Sequence, residues 1–363
     1  MPKALVFQAD KPAAIRKAAA LLKKEAVVAF PTETVYGLGA DVFNPRAVAK
    51  IFEVKKRPFF DPLIVHVASP EEAFSLWKGK SKIARVLAEK FWPGPLTLVL
   101  PKTRKVSDIV TAGLATVAVR MPSHPAALAL IKALGHPIAA PSANPFGYTS
   151  PTTAQAVFED LGNSIPLILD GGPCTYGIES TVLKIENEKL ILLRPGAVSV
   201  ERLTDVVPWG DVSNNILEFL TSPHGTTSGV LSPGLLESHY APYTPFLLMD
   251  GNFVKFTKEM LNLRSAYRKK KQAWPKIGLL LFEKKNTGKL FKHVEYLSKK
   301  KDLYEAASNL FQAIRKLDKM GLNLIVAEQI SERGLGLAIM DRLKKAAGGR
   351  IIRHPRVLLS GII

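Results

Sequence analysis

The chain is poor in several things, and each shortage excludes a class of protein. One cysteine, Cys174, stands in 363 residues. That excludes an internal disulfide and a cysteine-rich metal site, and fits a reducing, cytoplasmic setting. No apolar run reaches about 18 residues, so no transmembrane helix is expected. The first residues, Met1-Pro2-Lys3-Ala4-Leu5-Val6, lack the longer apolar stretch of a secretory signal. No G-x-x-x-x-G-K-[ST] occurs, so a P-loop is excluded. Gly37-x-Gly39 lacks the third glycine of a dinucleotide fingerprint and reads as a tight turn only. No acidic pair has the spacing of a metal site, no nucleophile stands out, and no internal repeat or low-complexity segment appears.

Hydrophobic residues make up 47% of the chain, enough for substantial cores. The length suggests two domains on the prior of roughly 100–200 residues each. The formal net charge is +19, unevenly spread. Residues 1–245 carry 25 Lys/Arg against 21 Asp/Glu; residues 246–363 carry 25 against 10. The basic surplus therefore belongs to the C-terminal third, as a nucleic-acid or acidic-protein contact or as a lysine-rich surface. Its runs Arg268-Lys269-Lys270-Lys271 and Lys299-Lys300-Lys301 have few aromatics between them. That argues against base stacking but not against phosphate contacts.

Organisation centres on residues 28–67. A buried strand, Val27 to Phe30, leads into the hydroxyl-rich turn Pro31-Thr32-Glu33-Thr34. A short helix over Pro45–Phe52 precedes the basic loop Lys55-Lys56-Arg57-Pro58. A second buried strand, Leu63–Val67, holds His66, whose plain reading is a satisfied core histidine. Arginine offers phosphate a planar fork and lysine a mobile point charge; a solvated basic loop is the bland alternative.

Further on, one design recurs: an apolar strand that ends in Ser, Thr or Arg, then Gly or Pro. Strand 116–121 carries Thr116 at its start and Arg120 near its end. Pro137–Asn144 delivers Ala140, Ser142 and Asn144 to a turn able to bind anions or to be an ordinary Asn/Ser turn. Ser150 follows in the next loop, and Thr152-Thr153 cap a helix over 154–160. Strand 166–170 ends in Asp170-Gly171-Gly172; Glu179-Ser180-Thr181 enters another strand; 190–196 ends in Arg194-Pro195-Gly196. Helices are expected over 12–25, 70–78, 81–91, 125–134 and 213–220. Pro93 and Pro95 break the chain before strand 96–100, an architectural role. Residues 221–234 have a linker's composition, and Ser238-His239-Tyr240-Ala241-Pro242 follows. Beyond it, strands at 246–249, 277–282 and 324–327 and helices at 303–317 and 334–347 make a second α/β domain. The lone Gly334-x-Gly336 is weak evidence for a nucleotide.

These motifs, in this order, resemble the YrdC-type threonylcarbamoyl-AMP synthases in their longer two-domain form. The matching runs are Pro31–Gly39, Lys55–Pro58, Pro62-Leu63, Phe91–Thr97, Pro141–Asn144, Asp170–Gly172, Glu179–Val182, Leu193–Gly196 and His239–Pro242. Asp61 departs from the family's usual Asn: an ionised Asp accepts hydrogen bonds but donates none. The resemblance implies an α/β fold, with a YrdC-like twisted mixed sheet and a smaller Rossmann-like α/β C-terminal domain. The implied parts are a catalytic domain at 1–210, a linker at 211–245 folding over the site, and the second domain at 246–363. It implies synthesis of L-threonylcarbamoyl-AMP from L-threonine, bicarbonate and ATP, with pyrophosphate release, a nucleotidyl transfer that feeds the tRNA threonylcarbamoyl transferase machinery. Catalysis falls to Lys55, Arg57 and His66. Thr34, His66, Arg120, Ala140 and Ser180 would take threonine. ATP would go to Lys55, Arg57, Asp61, Thr116, Ser142, Asn144, Ser150, Arg194 and Tyr240, with His239 and Tyr240 as lid residues. Mg²⁺ would come with ATP and have few protein ligands. Weak tRNA contact and no membrane contact are expected. Two alternatives stay open: an RNA-binding factor without ATP turnover, and a relative of carbamoyl transferases, whose zinc modules the single cysteine disfavours.

Overall fold

The computed structural model describes residues 3–187, 189–206, 239–249, 253–270, 273–287 and 290–352. The chain divides into two units. The first comprises Met1–Phe146 and Ser150–Leu236; the second comprises Gly147–Thr149 and Glu237–Ile363. The expected helix at 213–220 and the linker at 221–234 lie outside the described residues.

A ten-stranded mixed sheet is the frame of the first unit. Its strands are β1 Leu5–Gln8, β2 Val28–Phe30, β3 Gly37–Asp41, β4 Ile64–His66, β5 Leu96–Pro101, β6 Thr116–Arg120, β7 Ile138–Ala139, β8 Leu167–Asp170, β9 Thr181–Glu186 and β10 Lys189–Arg194. In space they run β1-β8-β2-β3-β7-β4-β6-β5-β9-β10. Period-two alternation assigns their side chains to two cores. Val28, Phe30, Leu167 and Leu169 join one, with helices Pro12–Lys23 and Pro125–Leu134. Ala29 and Ile168 face the other, which holds Val48, Ile51, Leu87 and Val157 from helices Pro45–Lys55, Lys82–Phe91 and Ala154–Leu161. Burial of each large aliphatic side chain contributes roughly 1.5–3 kcal/mol before entropy is counted. The helices start where the side chains can cap them. Asn44 Oδ1 accepts from the Arg46 and Ala47 amides at 3.0 and 3.2 Å. Thr153 Oγ1 accepts from the Ala156 amide at 3.2 Å, as the sequence indicates.

Two local readings change. Gly37 and Gly39 form no tight turn: they lie in β3, paired with Phe30 and Val28. The glycines are there for close approach. A Cβ on Gly39 would stand 2.7 Å from Ile138 Cγ2 and 2.8 Å from the Phe30 ring. The helix from Pro45 also runs on to Lys55, and only Lys56, at φ +51°, turns the chain out. Lys55 is thus a buried residue in the last turn of a helix, not part of a solvated loop.

The second unit carries a five-stranded, wholly parallel sheet. Its strands are β11 Phe246–Met249, β12 Ile277–Leu281, β13 His293–Tyr296, β14 Leu324–Glu328 and β15 Ile351–Ile352, in the order β13-β12-β14-β11-β15. Helices Phe253–Lys269, Leu303–Asp318 and Leu335–Ala346 complete it. The first of these has no sequence expectation. It is basic and mostly exposed, so its apolar stripe is narrow: Phe253, Phe256 and Met260. Arg268, Lys269 and Lys270 at its end are exposed, as are Lys299, Lys300 and Lys301. Tyr240 is buried in this unit at φ +63°, with Phe311, His239 and the Arg342 guanidinium about its ring. Among the described residues no helix is long and apolar enough to cross a membrane.

Candidate active site

Strand register brings the first cluster together. His66 on β4 pairs with Arg120 on β6. On the next strand Leu98 pairs with Val119, which sets Thr97 opposite Arg120. Leu96 then pairs with Thr181, so Ser180 enters β9 beside Thr97, their hydroxyls 2.8 Å apart. His66, Arg120, Thr97 and Ser180 therefore form a row across four neighbouring strands. The turn after β2 closes over it. Thr32 Oγ1 donates to the Val35 carbonyl at 2.6 Å and accepts from the Thr34 amide at 3.2 Å. Held this way, Thr34 Oγ1 accepts from Arg120 Nη1 at 2.9 Å. Arg120 also donates from Nε to the Gly94 carbonyl at 3.3 Å and pairs through Nη2 with Glu33 Oε1 at 2.5 Å. His66 is buried, and its pKa falls to about 3, first by burial and then by the Arg120 charge. The imidazole is neutral.

The second cluster is cationic. Lys55 Nζ donates to the Ser142 carbonyl at 2.6 Å and to the Asn144 carbonyl. That ties the end of helix Pro45–Lys55 to the Ser-Ala-Asn turn, which itself bridges Gly37 on β3. Arg57 donates to the Asp61 and Pro62 carbonyls at 3.1 and 2.9 Å, and pairs with Asp61 Oδ1 at 2.8 Å. Asp61 is wholly buried. Burial pushes its carboxyl up; Arg57, Lys55 and Arg194 oppose the shift. Burial and the Arg57 charge hold the Lys55 amine well below the ordinary lysine value. Arg194, at the end of β10, donates from Nη2 to the Ser180 carbonyl at 3.0 Å and to its hydroxyl at 3.2 Å. Three buried basic side chains thus gather about Asp61, with Asp160 also acting on Lys55, and Arg194 joins this cluster to the first. Desolvated charge of one sign is costly unless a counter-ion arrives. The chemistry of this set of side chains suits an anion.

Other expected residues fall around these clusters. Ser150 donates to Glu179 Oε1 at 2.5 Å, and both are buried. The Ala140 amide donates to the Ile64 carbonyl at 2.9 Å, so any role for its backbone falls on the carbonyl. Thr116 is not brought in. It lies four residues from Arg120 along β6, about 13 Å at roughly 3.3 Å per residue. There it lines a separate cavity of about 400 Å³ with Lys78, Lys184 and Asn187. Tyr240 and His239 belong to the second unit.

The sequence reading passes over Glu33 and Thr97 as site residues. Their signal was the motif itself: each lies inside a matched run, but one was read as part of a hydroxyl turn and the other as architecture. Asp170-Gly171-Gly172 is a buttress. Tyr36 OH donates to the Gly172 carbonyl at 2.8 Å and accepts from the Gly171 amide at 3.1 Å. The Tyr176 amide donates to the Glu33 carbonyl at 2.8 Å. The three contacts steady the chain from Glu33 to Tyr36.

Residues 20–196 match the protein-family model described as "Telomere recombination", and residues 198–348 match the one described as "Threonylcarbamoyl-AMP synthase, C-terminal domain". The chain is 43% identical over 340 residues to the threonylcarbamoyl-AMP synthase of Bacillus subtilis (strain 168), covering 93% of this chain and 94% of that protein. To the threonylcarbamoyl-AMP synthase of Pyrococcus abyssi it is 42% identical over 339 residues, 93% of this chain and 95% of the other. A crystal structure of Pyrococcus abyssi Sua5 complexed with L-threonine is similar with a TM-score of 0.84 at 40% identity, over 97% of this chain and 99% of that one.

Proposed function

We propose, because the chain belongs to the threonylcarbamoyl-AMP synthase family, that it makes L-threonylcarbamoyl-AMP from L-threonine, bicarbonate and ATP and releases pyrophosphate. The observation that carries this reading is the adjacency of the two clusters. An arginine with a hydroxyl on its guanidinium stands next to a buried cluster of basic side chains suited to phosphate, joined to it through Ser180 and Arg194.

In this reading Arg120 holds the threonine carboxylate through its planar fork. Thr34, His66, Ser180 and the Ala140 carbonyl surround the rest of the amino acid and its carbamate. The neutral His66 offers an uncharged hydrogen-bonding edge. Lys55, Arg57 and Arg194, with Ser142, Asn144 and Ser150, receive the nucleotide. The carbamate oxygen attacks the α-phosphorus, the bond to the pyrophosphate oxygen breaks, and the three basic side chains neutralise the leaving charge. Positioning and electrostatics carry such a displacement without a covalent enzyme intermediate. Asp61 is treated as the resident counter-ion of this cluster.

Mg²⁺ does not fit a protein cage here. Among the described residues no group of three or more His, Cys, Asp or Glu side chains could hold a metal, and Asp61 faces cations. If Mg²⁺ takes part, it comes on the phosphate oxygens of ATP. The domain limits we assign are 1–210, 211–245 and 246–363. The product's acyl group would go to a transferase acting on tRNA, in the cytoplasm, with weak tRNA contact through the exposed basic runs.

The test is pyrophosphate release from ATP with Mg²⁺, omitting threonine or bicarbonate in turn. Release that needs both, and falls with serine in place of threonine, is expected. ATP cleavage indifferent to both would overturn the reading in favour of RNA binding or carbamoyl transfer.

A further inference from the structure

The Arg120–Glu33 pair has an unusual form. Both partners are buried, Glu33 at 4% exposure and Arg120 at 3%. The shortest approach is 2.5 Å. Yet among the described residues neither carboxylate oxygen of Glu33, nor Nη2 of Arg120, makes an aligned hydrogen bond. A buried ion pair is costly unless further hydrogen bonds complete it. This one is incomplete on both sides, and it lies in the row that the synthase reading gives to threonine. A zwitterionic amino acid is the complement of such a pair. It brings one carboxylate, which the guanidinium takes, and one ammonium, which the displaced Glu33 takes. The two groups of an α-amino acid share one carbon, as the two groups of the receptor share one contact.

We infer that Glu33 is a catalytic residue that binds the threonine ammonium and removes its proton, so that the amine can attack bicarbonate. This inference rests on the synthase reading. The steps balance. The Glu33 carboxylate takes one proton from the ammonium. The amine lone pair forms the N–C bond to the bicarbonate carbon, the C–OH bond breaks, and the departing hydroxide leaves as water with the second N–H proton. The products are the threonine carbamate, one water and a protonated Glu33, which returns its proton to solvent. The titratable and charged groups facing Glu33 are Arg120 from β6, His124 at the start of helix Pro125–Leu134, and Cys174 beyond β8. Arg120 turns to the substrate carboxylate, and burial keeps His124 on its neutral side and raises the thiol. His66, beside Arg120 on β4, is the competing base; Glu33 is chosen because its unsatisfied carboxylate is the group an ammonium pairs with when the Arg120 guanidinium turns to the carboxylate.

The experiment is the pH profile of threonine-dependent pyrophosphate release by the full chain and by Glu33→Gln. The unaltered chain must first show dependence on threonine and bicarbonate; without that, the synthase reading itself fails. Given that dependence, Glu33→Gln is expected to lose about 10²–10⁴-fold at neutral pH. Its rate should then climb by about tenfold per pH unit as threonine's amine titrates in solution, because free amine no longer needs the enzyme's base. Threonine binding by calorimetry should remain measurable. A Glu33→Gln profile parallel to the unaltered chain's would overturn the inference and leave the synthase reading standing. Should Glu33→Gln fail to fold, Glu33→Asp decides. A lower rate with the unaltered profile supports a carboxylate base; an unchanged rate, or a profile that climbs with pH, rejects it.

Discussion

Arg120 and Lys55 are both buried cations, yet they answer to different chemistry. Arg120 offers a flat fork, and its partners Thr34 and Glu33 sit on separate nitrogens. Arg120→Lys keeps the charge and loses the fork. It should weaken threonine binding by about 1.5–3 kcal/mol, the range for hydrogen bonds to charged groups. Calorimetry would read this; unchanged affinity would remove Arg120 from the threonine site. Lys55 is held below the ordinary lysine value by burial and by Arg57. A phosphate beside it restores the charge, so the bound form holds more protons than the free form between the lowered value and the restored one. At a pH between the two, pyrophosphate binding should therefore take up a proton, up to about one per site, relative to the same binding by Lys55→Met. Binding heats compared across buffers of different ionisation enthalpy measure it; no uptake would mean that Lys55 does not meet the anion. Asp61 lies beside Arg57, with Lys55 and Arg194 near, as a built-in anion. In Asp61→Asn the amide still accepts from Arg57, but the counter-charge is gone. The variant should be less stable without ligand, by about 1–3 kcal/mol, and pyrophosphate should raise its melting temperature more than it raises that of the unaltered chain. An equal or smaller rise would argue that Asp61 is not the resident counter-ion.

Strands and their ends were the most legible elements. Apolar runs such as Leu96–Leu100 and Leu167–Asp170 announce themselves, and the residues after them were already suspect because loops on strand ends carry chemistry. Lys55 was harder to place. Its helix ends one residue before a left-handed Lys56, and no pattern of exposed-looking basic residues says that the first and third of three will be buried. Glu33 was legible as a letter in a motif but not as a partner of Arg120, since 87 positions of sequence separate them and only the sheet register closes the gap. Gly37 and Gly39 mislead for a similar reason. Two near glycines suggest a turn, whereas here they give the Phe30 ring room against a strand. Gly39→Ala tests that account. Its Cβ would overlap Ile138 and Phe30, and overpacking of this kind costs about 1–3 kcal/mol. Denaturant unfolding of the full chain should show the loss in the transition that reports on the first unit. Full stability would mean the sheet gives way more easily than the packing implies.

Charge is where the whole molecule says something its site does not. The excess of 25 basic over 10 acidic residues lies in 246–363, a stretch that contributes none of the site residues assigned to the first unit. Within it, Arg268, Lys269 and Lys270 stand exposed at the end of one helix. Lys299, Lys300 and Lys301 are exposed too, although Lys301 pairs with Glu283 at 2.8 Å. In the proposed function the product goes to a transferase acting on tRNA, and such an enzyme gains from a surface that keeps tRNA close. Such contact is electrostatic and falls steeply with salt, by roughly 0.7–0.9 logarithmic units per phosphate neutralised. Replacing Arg268, Lys269 and Lys270 together by glutamate should weaken tRNA binding and flatten its salt dependence by about one unit for each contact removed. Pyrophosphate release without tRNA should not change, because none of the three is among the residues assigned to the site. Binding curves at several salt concentrations separate the outcomes. A flatter slope with an unchanged synthase rate assigns the run to tRNA. An unchanged slope makes it a lysine-rich surface that keeps the protein in solution, and moves any tRNA contact elsewhere on the chain.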